Sequence, residues 1–159
     1  MWLRFSVDTL IEACPAQLLQ AGGLDITDDG TVDVGDAFTR IETCWMAGIA
    51  ATARAGAHIL LEDGFLSGPA AQARWRAALD GLTVAWVGVR LAPGLAAERE
   101  ARRGDRAPGM AAAQATSIHE GIDYDLEINT ATGTPTELAQ AVAARIAGPV
   151  RQPPHTAMR

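Results

Sequence analysis

Four of the thirteen arginines stand within eight positions, Arg99, Arg102, Arg103 and Arg106, in the run EREARRGDR from Glu98, although the chain carries a net charge of −6. On a helix these positions recur at i, i+3/i+4 and i+7 and share one face. A cationic stripe on an acidic protein suits a small, dense anion such as a phosphate group, because each planar guanidinium can grip two oxygens at once. Glu98 lies four residues before Arg102 and Glu100 three before Arg103, so ion pairing on a solvated face is the competing account. Gly104 should break the helix and lift Arg106 off that paired face. Two carboxylates could complete the chemistry. Asp8 follows the alternating apolar Trp2, Leu3, Phe5 and Val7, at the carboxyl end of a strand, where open α/β sheets hold their ligands. It could equally serve as N-cap of a helix starting at Thr9. Asp63, with Glu62 before it, ends His58-Ile-Leu-Leu. Apolar residues running into an acid is how nucleotide-binding sheets place a magnesium-side carboxylate, although many strands end this way.

The elements that must position these residues alternate in type. Strands are expected at the N-terminus, at 58–63 and over Thr83–Leu91, a continuous apolar run that suits an inner parallel strand covered on both faces, with a less buried one over Tyr124–Thr130. Residues 20–34, rich in Gly and Asp, form a loop with a short hairpin around Asp29-Gly30. The aspartates there, Asp25, Asp28, Asp29 and Asp33, lack the spacing and closing Glu of a calcium loop. A long helix over 36–55 buries Phe38, Ile41, Trp45, Ile49 and Ala53. Further helices start at Ser67-Gly68-Pro69, after Pro93-Gly94 and at Pro108. Thr134-Pro135-Thr136-Glu137 is a capping box with proline at N1, and its helix runs to Ile146 with Leu138, Val142 and Ile146 inward. Strands alternating with helices predict a three-layer α/β domain with a mostly parallel sheet, over residues 1–148, with 149–159 a disordered tail.

Composition narrows the function. A chain of 159 residues with 48% apolar and 20% charged residues is globular, and its acidity argues against a nucleic-acid partner. Cys14 and Cys44 form neither a disulfide framework nor a metal spacing and read as buried thiols. No apolar run spans a membrane, and the expected location is cytoplasmic. The chain contains no lysine.

FSVDTLIEA (5–13), RAGAHILLEDGFLSGPAAQARWR (54–76), VAWVGVRL (84–91) and ARRGDRAPGMAAAQATSIHEGIDYDLEINT (101–130) together resemble the chloramphenicol phosphotransferase family of the P-loop kinases. The ordered set spans roughly Trp2 to Ile146. The resemblance implies a P-loop kinase-like fold and an ATP- and Mg²⁺-dependent transfer of phosphate to a hydroxyl of a small, chloramphenicol-like molecule. It further implies that Asp8 is the general base, that Asp63 lies on the metal side, and that Arg103 and Arg106 close on the ATP phosphates. It gives His119 no catalytic part. One departure stands out. The family opens with a strand and a glycine-rich loop ending in Lys-Ser/Thr, and no such loop precedes Asp8. The expectation is a chain starting downstream of its ATP cradle and central strand, with an upstream in-frame segment restoring both. The alternatives are a non-catalytic remnant that binds ligand or partner, and a zeta-toxin-like nucleotide-sugar kinase.

Overall fold

The computed structural model describes residues 2–20, 22–27, 32–103 and 109–147. In chain order the elements are β1 (Trp2–Ser6), α1 (Val7–Ala13), α2 (Ala16–Gln20), β2 (Leu24–Ile26), β3 (Val32–Val34), α3 (Asp36–Arg54) and β4 (His58–Glu62). They continue with α4 (Pro69–Ala78), β5 (Val87–Arg90), α5 (Pro93–Arg103), α6 (Met110–Ser117), β6 (Leu126–Asn129) and α7 (Pro135–Ile146). The fold is mixed α/β with parallel strand pairs, as the alternation of periods predicts. The chain divides into two compact units, one built from residues 1–82 with 92–122 and the other from 83–91 with the chain from Asp123 onward.

In the first unit β1 and β4 run parallel, in register from Trp2↔His58 to Ser6↔Glu62. Parallel neighbours need a long crossover, and α1 through α3 supply it. β2 and β3 form the antiparallel hairpin expected in the Gly/Asp-rich stretch, from Leu24↔Val34 to Ile26↔Val32; its tip, 28–31, lies outside the described residues. The core centres on Val7, Leu10 and Phe38, with Ile11, Cys14, Leu19, Leu24, Val34, Ile41 and Trp45 packed around them. On α3 the buried stripe is Phe38, Glu42, Met46, Ile49 and Ala50. This corrects the expected stripe by one position: Ile41, Trp45 and Ala53 are only half-buried, and the face turned most fully inward carries an acid. Cys44, on the other side of that helix, is exposed and Cys14 half-buried, so neither is the buried thiol expected.

β4, the strand expected at 58–63, is covered on one face only. Its side chains alternate, with Ile59 and Leu61 half-buried and His58, Leu60 and Glu62 exposed, because the pleat sends successive side chains to opposite faces. Across the exposed face Trp2 lies against His58 with ring centroids 5.2 Å apart. Beside them Arg4 grips Glu62 through two bonds of 2.9 Å.

In the second unit β5 pairs in parallel with β6, from Val87↔Leu126 to Arg90↔Asn129. The long inner strand expected over 83–91 is shortened to these four residues, as far as β6 offers a ladder. Val89 is 53% exposed, so this strand is not covered on both faces. Gly88 lies under the ring of Tyr124, where any Cβ would collide. The expected capping box opens α7: Thr134 Oγ1 accepts from Glu137 N, and the Glu137 carboxylate accepts from Thr134 N at 2.8 Å. Leu138 and Val142 are half-buried there, whereas Ile146 is exposed. The expected tail lies outside the described residues.

Candidate active site

The parallel register sets Ser6 beside Glu62, so the residues that follow, Asp8 and Asp63, leave the same carboxyl edge of the β1–β4 pair. Ser6 rather than Asp8 caps α1, its hydroxyl accepting from Asp8 N at 3.3 Å. Ser6 has the extended backbone a cap requires, while Asp8 is already helical. Val7 and Leu10 are buried, and their anchorage leaves Asp8 on the outer face of the first turn, exposed. An acid there is also favoured by the helix dipole. Among the described residues nothing engages the Asp8 carboxylate.

Asp63 is differently placed. One carboxylate oxygen accepts from Phe65 N at 2.8 Å and the other from the Trp75 indole at 2.6 Å. Burial pushes its carboxyl above the ordinary range, and these two donors only partly offset the loss of water. Trp75 is fully buried on α4 and meets Trp45 of α3 edge-on, with centroids 5.6 Å apart. Beside them Glu42, 3% exposed, pairs with Arg74 at 2.5 Å, and Arg74 also reaches Ser67 Oγ at 3.4 Å. This buried polar group fixes the path of residues 63–68. Phe65 takes φ +45°, a strained value for a side-chain-bearing residue, and Gly68, the N-cap before Pro69, takes φ +56°.

That loop forms one wall of a small hollow of about 110 Å³, lined by Val32, Phe65, Leu66, Gly68, Gln114, Ser117 and Ile118. The other walls come from β3 and from α6 and its end. Gly121 packs so closely on Pro69 that a Cβ would sit 2.8 Å from its ring, which holds the end of the α6 segment against α4. His119 is buried, as a structural residue would be.

The arginine stripe forms as a helix, α5, whose inward face is Ala96 and Glu100. Arg99, Arg102 and Arg103 are exposed. Arg102 and Glu98 stand 3.9 Å apart, both solvated, as the pairing account expects. Glu100 does something else: its two oxygens accept from Gly109 N and Ala111 N, each at 2.7 Å. Arg106 lies outside the described residues. No cluster of three or more metal-ligating side chains exists among the described residues, and Glu62 is committed to Arg4. In magnesium sites a single carboxylate can join phosphate oxygens and water; each Asp63 oxygen already accepts one hydrogen bond and keeps one further lone pair.

Glu42 and Arg74 escaped the sequence reading, and Glu100 entered it only as an ion-pair partner for Arg103. Their signal was there as charged residues at i+4 from apolar ones, Glu42 after Phe38 and Glu100 after Ala96, on faces that had to be buried. No helix among the described residues is long and apolar enough to cross a membrane.

No curated protein matches the chain. The sequence profile of the family described as chloramphenicol phosphotransferase-like protein matches residues 1–147, a span that takes in Asp8, Asp63, the hollow and the arginine helix. The chain therefore belongs to the chloramphenicol phosphotransferase-like family.

Proposed function

We propose that the protein is an ATP-dependent O-phosphotransferase acting on a hydroxyl of a small molecule with an apolar body, of the chloramphenicol kind. The observation that carries this reading is the open carboxylate of Asp8 at the same sheet edge as Asp63 and the loop 63–68 that walls the hollow. Family membership supports it, because phosphotransferase chemistry of this type needs few protein groups beyond these. Phosphoryl transfer is chiefly a matter of positioning and charge neutralisation. On this reading Phe65, Leu66 and Ile118 take the apolar body of the acceptor and turn its hydroxyl to Asp8. Asp8 accepts the hydroxyl proton as the oxygen bonds to the γ-phosphorus and the bond to the ADP oxygen breaks. Arg103, joined by Arg106, answers the charge on the transferring group. Asp63 is the residue that would hold Mg²⁺, which supplies charge neutralisation at the phosphates when bound.

The test is transfer of label from γ-labelled ATP to a panel of chloramphenicol, a UDP-sugar and an aminoglycoside. It is run on the chain and on the chain with a GxxxxGK[ST] segment joined ahead of Trp2. Label on chloramphenicol is expected. Label on the UDP-sugar alone would move the assignment to a nucleotide-sugar kinase. Binding of chloramphenicol with no label in either protein would make this a binding module.

A further inference from the structure

We infer that Glu100 is a positioning residue that holds α6 as a wall of the acceptor hollow and ties that wall to the arginine helix. The inference rests on the proposed function for the meaning of the hollow, but its structural half stands alone. α6 is eight residues long, buries no side chain completely and begins at Gly109, with φ +92° and no side-chain cap of its own. A helix so short and so poorly buried has little of its own to hold it in place. Its first N–H groups lack intrahelical partners, and Glu100 answers two donors there at once, Gly109 N and Ala111 N, from a carboxylate only 8% exposed on α5. The negative charge also suits the positive end of the helix dipole. α6 in turn carries Gln114 and Ser117, and Ile118 follows them into the hollow. One turn beyond Glu100 on α5 stands Arg103. A single buried carboxylate thus links the element proposed to meet phosphate with the one proposed to meet the acceptor.

Glu100→Ala removes both bonds, and Glu100→Gln keeps one acceptor oxygen. Amide hydrogen exchange over residues 109–118 should rise roughly tenfold to hundredfold in Glu100→Ala, as expected for hydrogen bonds to a charged acceptor. The rise should be smaller in Glu100→Gln, and exchange across α3 should stay unchanged. Chloramphenicol, as the probe, should bind the Ala variant about tenfold more weakly, a change of about 1.4 kcal/mol, with the Gln variant between. Unchanged exchange over 109–118, or an equal rise across α3, would overturn the inference. So would faster exchange over 109–118 with unaltered chloramphenicol affinity. If the unmodified protein binds no chloramphenicol while the exchange pattern appears as stated, the acceptor assignment fails and the hold of Glu100 on α6 is upheld.

Discussion

Asp63 and Arg102 show how differently two charged residues behave once their surroundings are known. The folded state keeps the Asp63 proton more readily than the unfolded chain does, because burial outweighs its two donors. Stability from this group is therefore fully present below the ordinary carboxylate range. It declines as pH rises from about 4 through the raised folded value, and then levels. Asp63→Asn should flatten that decline, read as the denaturant midpoint against pH; an unchanged slope would mean Asp63 is solvated. Trp75→Phe deletes the indole donor and should cost about 1–3 kcal/mol, measured by equilibrium unfolding. At the arginines the prediction concerns contrast. Arg103→Ala should weaken ATP binding at least tenfold, whereas Arg102→Ala, whose partner Glu98 is solvated, should change it by less than about twofold. Equal, small effects at both positions would restore the solvated-face account of the stripe.

The capping box of α7 was legible residue by residue, because a cap is a local contract among four side chains. The structure returns both of its bonds. Hydrogen bonds from Thr134 hold the Glu137 carboxyl below the ordinary range, so its contribution is present above that range and lost as pH falls through it. Thr134→Ala should cost about 1 kcal/mol and abolish this acid-side dependence, seen in the pH profile of helix-sensitive circular dichroism. Helix spans, the β2–β3 hairpin and the parallel strands were equally readable from period and turn residues. Burial was not. The β4 and β5 runs are apolar enough to be inner strands, yet Leu60 and Val89 stand exposed, because cover depends on neighbours far along the chain. The site divided in the same way. Asp8 and Asp63 could be placed at strand ends from sequence, but Glu100 and Glu42 could not, since their partners at 109–111 and Arg74 are set by packing between helices.

On the scale of the whole molecule, each parallel pair has two strands. Among the described residues β4 pairs only with β1 and β5 only with β6. With Trp2 64% and Leu60 55% exposed beside the Arg4–Glu62 ion pair, the β1–β4 pair presents a mixed strand face with two large apolar side chains through which copies can associate. Sedimentation velocity should show self-association that grows with protein concentration and falls in Leu60→Ser; a monomer at all concentrations would argue that this face is harmless. The account stands or falls, however, on Asp8, the exposed carboxylate at the carboxyl edge of the β1–β4 pair. The direct measurement is steady-state transfer from ATP to chloramphenicol by Asp8→Asn, in a chain carrying a glycine-rich phosphate loop ahead of Trp2, with ATP affinity measured in parallel. Loss of a general base should lower kcat by about 10²–10⁴-fold while ATP affinity stays within about twofold. Near-normal turnover in Asp8→Asn would contradict the assignment and reduce Asp8 to an acid that only favours the start of α1.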